Sequence, residues 1–164
     1  MRDRFAPRPG ESRLTEVLGA DATLAFIGRV RSAWRLDDCP KNLRQARKRG
    51  GGNARLELAA PFRAGLEGLS PGDALVLLYW MDRAPRDLIR QHPRHRDAPA
   101  GTFALRSPAR PNPVALAVVR CVSLDSDAGV VGIDAIDAVD GTPLLDIKPW
   151  LPTVDLPPEE LPER

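Results

Sequence analysis

Cysteine is scarce in this sequence, with only Cys39 and Cys121 among 164 residues. Two thiols are too few for a disulfide framework or a four-thiolate metal site, and they point to a reducing compartment. Long apolar runs are missing too. No stretch approaches the roughly 20 apolar residues that span a bilayer, and residues 1–10 alternate Arg, Asp and Pro with no apolar segment. Neither a membrane partner nor a leader is expected, and the chain is expected to be cytoplasmic. Histidine is limited to His92 and His95, in HPRHRD. A zinc site needs three or four ligands and no third suitable donor stands nearby, so no metal is expected. Neither cysteine carries a local Cys-His nucleophile signature. No Gly-x-Gly-x-x-Gly opens a helix after a strand, and there is no GxxxxGK[ST] phosphate loop, which disfavours a Rossmann-type enzyme. Aromatic residues make up 5% of the chain with no stacking motif, which argues against a general RNA-binding module without a cofactor.

What is present bounds the rest. A length of 164 residues with 43% hydrophobic content suits one domain around one core. The 17 prolines are spread throughout and argue against long helices. Net charge is only +2, but the charges are segregated. From Arg29 to Arg49 eight basic residues face two aspartates, and from Arg83 to Arg110 seven arginines face two. From Asp125 to Asp146 there are six aspartates and no Lys or Arg. Basic segments folded onto one face attract phosphates, although such runs also serve simply as solvated surface.

Residues 1–22 read as a mobile arm, with a short helical turn near Leu14–Leu18, and residues 153–164 as an acidic, Pro-rich tail carrying Asp155, Glu159, Glu160 and Glu163. Between them, residues 23–31, 54–58, 74–81, 102–105, 114–124 and 130–136 are predicted strands. Residues 35–53 are predicted to form a long basic loop, ending in Gly50-Gly51-Gly52, and residues 85–91 a short helix. Many short strands between turns predict a mainly β domain with a closed or nearly closed sheet, short helical segments and long loops.

Two stretches carry candidate chemistry. Gly101 to Pro113 sets Pro108, Pro111 and Pro113 around Arg106, Arg110 and Asn112. Proline fixes the local backbone, leaving little entropy to lose on binding, and two guanidinium forks suit a carboxylate or phosphate. The same pattern equally suits a rigid strand connector. The second stretch is the Asp-rich block from Asp134 onward.

Taken together, GTFALRSPARPNPVALAVV and DAIDAVDGTPLLDIKPWLP resemble the paired motifs of the YaeB/TsaA-like family of S-adenosylmethionine-dependent tRNA methyltransferases, over roughly residues 24–152. The resemblance implies a small single-domain β-barrel over residues 23–152, distinct from the Rossmann methyltransferases. It further implies a homodimer with S-adenosylmethionine near the subunit interface, and methylation of N6-threonylcarbamoyladenosine beside the tRNA anticodon. By motif position it makes Arg106, Leu116, Asp134, Ala135, Ile136 and Asp137 cofactor contacts, and Asn42 a looser one in the loop after the first strand. Leu105, Ala115, Ala117 and Trp150 depart from the family's usual Thr, Gly, Ser and Tyr. Asp82, followed by Arg83, stands where many relatives have histidine, so it joins the candidate site. The chain ends soon after Pro152, and the further C-terminal domain of longer members is not expected. Because the acceptor nitrogen must lose a proton, Asp82 and Asp137 are candidate acceptors. Two other readings stay open: methyl transfer to another RNA or a small molecule, and a non-catalytic module that binds S-adenosylmethionine or RNA.

Overall fold

The computed structural model describes residues 8–16 and 19–157. The expectations for residues 1–7 of the arm, for the Val17–Leu18 end of its helical turn and for residues 158–164 of the tail lie outside them. In chain order the described strands are β1 (Ser12–Arg13), β2 (Gly28–Arg31), β3 (Arg55–Leu58), β4 (Ala74–Trp80), β5 (Leu88–Gln91), β6 (Ala100–Gly101), β7 (Val114–Asp125), β8 (Val130–Ile133) and β9 (Pro143–Pro149), with helices α1 (Leu43–Lys48) and α2 (Pro152–Asp155). The chain divides into two compact units, Met1–Leu24 with Met81–Ala115 and Ala25–Trp80 with Leu116–Arg164.

The second unit holds a barrel closed in the order β2-β3-β8-β7-β4-β9. Closure follows from the alternation of side chains along its strands, because every second residue must face the interior. Leu75, Leu77 and Tyr79 of β4 are buried at alternate positions, as are Ala117, Val119 and Cys121 of β7; Val30, Leu56, Val131 and Leu144 complete the core. Truncating a core leucine such as Leu77 to alanine removes packing worth about 2–5 kcal/mol. Two irregularities shape the site. Register shifts between Leu78 and Tyr79 of β4 and between Cys121 and Ser123 of β7, and shifts of this kind re-aim side chains near the end of a strand.

In the first unit β1, β5 and β6 form a three-stranded sheet in that order. Arg8–Glu16, within the segment read as an arm, therefore contributes a strand: Ser12 pairs with Arg90, and the Glu11 carboxyl accepts the His92 amide at 3.1 Å. Inside this unit Thr102 is fully buried, its hydroxyl donating to the Leu88 carbonyl at 2.9 Å and accepting from the Gln91 amide at 2.7 Å.

Several sequence expectations are corrected. Residues 85–91 form no helix; Leu88–Gln91 pairs as β5, because a single helical turn is marginal alone while two flanking strands offer ladder bonds. Residues 102–105 are not a strand but a 3-10 turn over Thr102–Ala104. The Arg110 guanidinium donates to the carbonyls of Thr102, Leu105 and Ser107, which fixes that turn. The basic loop contains α1, and β9 arises where no strand was predicted. The first barrel strand is shorter than predicted, four residues from Gly28, and β8 stops at Ile133.

Candidate functional site

In the second unit, the chain leaving β8 makes a turn over residues 134–137 that is held by side chains and one backbone amide from other parts of the chain. The Asp134 carboxylate accepts Arg47 Nε at 2.7 Å with one oxygen and the Arg120 amide at 2.8 Å with the other. Burial pushes this carboxyl upward, but the hydrogen bonds from Arg47 and Arg120 outweigh it and hold the group below the usual carboxylate value. Trp34 donates its indole N–H to the Ile136 carbonyl at 2.7 Å, and the Cys39 thiol donates to the Asp137 carbonyl at 3.3 Å. Burial, then the nearby Asp137 charge, push Cys39 up to about 11. It is therefore a neutral donor at physiological pH, not a thiolate nucleophile.

Arg47 reaches Asp134 because of how α1 is built. Asn42 caps it, the side-chain oxygen accepting the Gln45 amide at 2.9 Å. Gly50 and Gly51 end it in a Schellman motif: Gly50 donates to the Arg47 carbonyl at 3.1 Å and Gly51 to the Ala46 carbonyl at 2.9 Å, both at positive φ. A Cβ on Gly51 would stand 2.1 Å from the Asp134 carbonyl oxygen. Glycine at position 51 is therefore what lets the helix end lie against the turn. Behind it, the Arg49 guanidinium lies 4.5 Å from the Trp34 ring centroid and pairs with Asp38 at 2.7 Å.

The two aspartates differ. Asp134 has a guanidinium partner. Half-buried Asp137 accepts only a neutral donor on its side chain, the Tyr79 hydroxyl at 3.0 Å, and pairs with no cation among the described residues. Tyr79 is itself 3% exposed, the last of the inward column of β4. The arrangement offers a fixed carboxylate, short of counter-charge, on a turn whose carbonyls are held from behind.

Of the expected site residues, Asn42, Asp134, Ala135, Ile136 and Asp137 are thus brought into one region, Asn42 as the cap of the helix that carries Arg47. Ala135 and Ile136 are fully buried. Leu116 lies on the outward row of β7, 43% exposed. Asp82 and Arg106 belong to the first unit and are exposed at the surface. Arg110, read as a second fork for a ligand, instead binds the carbonyls of its own loop. Sequence reasoning missed Trp34, Arg47 and Tyr79. Only a lone tryptophan in a polar loop and a tyrosine in a buried strand hinted at them. His92 does not pair with His95; its ring nitrogens lie 3.2 Å from the Pro9 carbonyl and 3.1 Å from that of Arg96. Among the described residues no group of three or more His, Cys, Asp and Glu is arranged to hold a metal, and no helix is long and apolar enough to cross a membrane. A groove of about 650 Å³ opens elsewhere in the unit, against Ile27, Phe62, Leu66, Trp150 and Leu151, and none of the expected site residues lines it.

A closed six-stranded barrel whose polar turns gather beside one short helix defines a non-Rossmann β-barrel protein. A profile of the tRNA-methyltransferase O N-terminal domain matches residues 30–156, and the chain belongs to that family. The "Probable S-adenosyl-L-methionine-binding protein VirR" of Rhizobium radiobacter is 35% identical over 130 residues, 79% of this chain and 71% of its own length. A "Probable S-adenosyl-L-methionine-binding protein" of Archaeoglobus fulgidus is 43% identical over 100 residues, 61% of this chain but 27% of that protein. The crystal structure of TrmO from Pseudomonas aeruginosa superposes with a TM-score of 0.64 at 30% identity, covering 87% of this chain and 62% of that one. The chain thus spans only part of the length of each of these three, and less than two thirds of the Archaeoglobus and Pseudomonas proteins.

Proposed function

We propose that this protein binds S-adenosylmethionine and transfers its methyl group to a tRNA adenosine, with N6 of N6-threonylcarbamoyladenosine as the acceptor. The observation that carries the reading is Asp137, a half-buried carboxylate joined to a neutral phenol and lacking a cationic partner among the described residues. A cation completes such a site, because an unbalanced buried charge is costly and its attraction for an opposite charge grows as water is excluded. The donor set suits S-adenosylmethionine, which carries a sulfonium and an ammonium. The names of the Rhizobium and Archaeoglobus relatives support the same ligand, and the matched tRNA-methyltransferase O domain supports the same acceptor class.

When bound, the cofactor supplies a methyl group already activated by its positive sulfur. The chain's residues then bind and orient, since alignment at near-attack distance supplies much of the rate. Asp137 balances positive charge, fixed by Tyr79 so that it need not reorganise. Asp134 holds the turn through Arg47. Ala135 and Ile136 form the buried part of the turn, and Asn42 sets the start of α1. Arg106 and Leu116 join the cofactor contacts by motif position, and Asp82 is the proposed proton acceptor for the acceptor nitrogen. Cationic segments 35–49 and 83–96 meet tRNA phosphates. A second copy covers the outward apolar row of β7, where Leu116, Val118 and Val122 are 43%, 38% and 55% exposed.

The test is methyl transfer from labelled S-adenosylmethionine to tRNA with and without the threonylcarbamoyl group, followed by nucleoside mass spectrometry. Label on the modified adenosine alone is expected. Transfer to another RNA or a small molecule would move the acceptor, and cofactor binding without turnover on any RNA would leave a binding module.

A further inference from the structure

Among the described residues of the first unit the most exposed large apolar side chain is Phe103, at 78%, directly after fully buried Thr102. The contrast is imposed by the local bonding. Thr102 is pinned to β5 through the Leu88 carbonyl and the Gln91 amide, and Arg110 holds the carbonyls of Thr102 and Leu105 on either side of Phe103. The ring is thus held outward by its neighbours on a short, braced turn. A single exposed phenylalanine needs no explanation in itself, but its setting is unusual. Arg90 pairs across the sheet with Gly101, two residues before Phe103, and is exposed. The loop from β5 to β6 adds Arg94 and Arg96, also exposed. The guanidiniums of these three arginines pair with no carboxylate among the described residues.

A braced aromatic side chain in the same compact unit as three guanidiniums without a carboxylate partner among the described residues matches the two requirements of unpaired nucleic acid: a ring for a base to stack on, and cations for the flanking phosphates. We infer that Phe103 is a base-stacking platform, with Arg90, Arg94 and Arg96 as its phosphate contacts, and that together they select RNA with unpaired bases over duplex. This rests on the tRNA half of the function proposed above and adds the residues that would hold its unpaired bases. A base stacked on Phe103 loses its partner when the ring is removed, whereas a duplex, whose bases are already stacked, loses nothing.

The test is fluorescence polarisation of the full chain with a labelled RNA stem-loop and with a blunt RNA duplex of equal length, across a salt series. Tighter binding to the stem-loop is expected. Phe103→Ala and Phe103→Leu are expected to weaken stem-loop binding about tenfold and leave duplex binding unchanged, while Phe103→Tyr retains it. Arg94→Gln with Arg96→Gln is expected to weaken both RNAs and to reduce the salt slope by about two. Each variant is checked by its melting temperature, its S-adenosylmethionine titration and its sedimentation mass, none of which is expected to change. Wild-type stem-loop affinity in Phe103→Ala, or equal losses on both RNAs, overturns the inference alone. A change of mass on Phe103→Ala overturns it in favour of contact with a second copy, and a loss of cofactor affinity overturns it in favour of the cofactor site. A wild-type chain that binds neither RNA overturns it together with the tRNA half of the proposed function.

Discussion

Asp134 and Asp137 stand three residues apart on one turn and are partnered in opposite ways, the first by a guanidinium and the second by a phenol. The Asp134–Arg47 pair predicts a specific acid sensitivity. A carboxyl held below its usual value in the folded state, against about 3.9 unfolded, contributes stability that is full above the unfolded value and lost as pH falls through the folded one. Asp134→Asn is therefore expected to melt lower than the wild type by about 1 kcal/mol of stability near neutral pH, and the gap between the two is expected to close in acid below pH about 4. A gap that persists unchanged in acid, followed by circular dichroism melting, would show that the pair does not carry the charge assigned to it. The sequence made these aspartates candidates by motif position. It could not distinguish their roles, because the discriminating partners, Arg47 and Tyr79, lie 87 and 58 residues away along the chain.

At the scale of elements, what was legible follows the strength of the local signal. β3, β4 and β7 showed in their apolar patterns, since burial on one or both faces writes itself into every second residue. α1 did not, because six residues with Ala46 alone buried leave no helical period to read. Its end signals were present, however: Asn42 before it, basic residues in its last turn and glycines after it. β9 begins at Pro143, tolerated as a first strand residue, and was hidden inside a motif. The glycine pair gives a sharp test of how α1 meets the turn. Gly50 and Gly51 share a positive φ, but a Cβ on Gly50 meets nothing within 4 Å while one on Gly51 meets the Asp134 carbonyl. Gly50→Ala is expected to cost about 1 kcal/mol of stability from backbone strain alone. Gly51→Ala is expected to cost more and to lower S-adenosylmethionine affinity at least tenfold in calorimetry. Equal effects of the two substitutions would mean that the contact between helix end and turn does not shape the site.

For the whole molecule, the barrel and the family were both foreshadowed, the first by many short strands between turns and the second by two long motifs. The small sheet of β1, β5 and β6 was not, because two-residue strands carry no period and their pairing partners are scattered along the chain. The near-neutral net charge conceals a division that function can use, with cations gathered in two segments and aspartates in the block that carries the turn. The two are reconciled by the proposed division of labour, in which Asp137 draws a cationic cofactor and the guanidiniums that are not tied to the 134–137 stretch draw RNA. In this division Asp137 supplies the counter-charge to the bound cofactor. Titration calorimetry of S-adenosylmethionine into the wild type and into Asp137→Asn, with melting temperatures measured alongside, addresses it most directly. Saturable binding is expected of the wild type and a loss of roughly tenfold or more of Asp137→Asn, the scale of one charge-assisted hydrogen bond, with the fold retained. Equal affinity in the two proteins would contradict it.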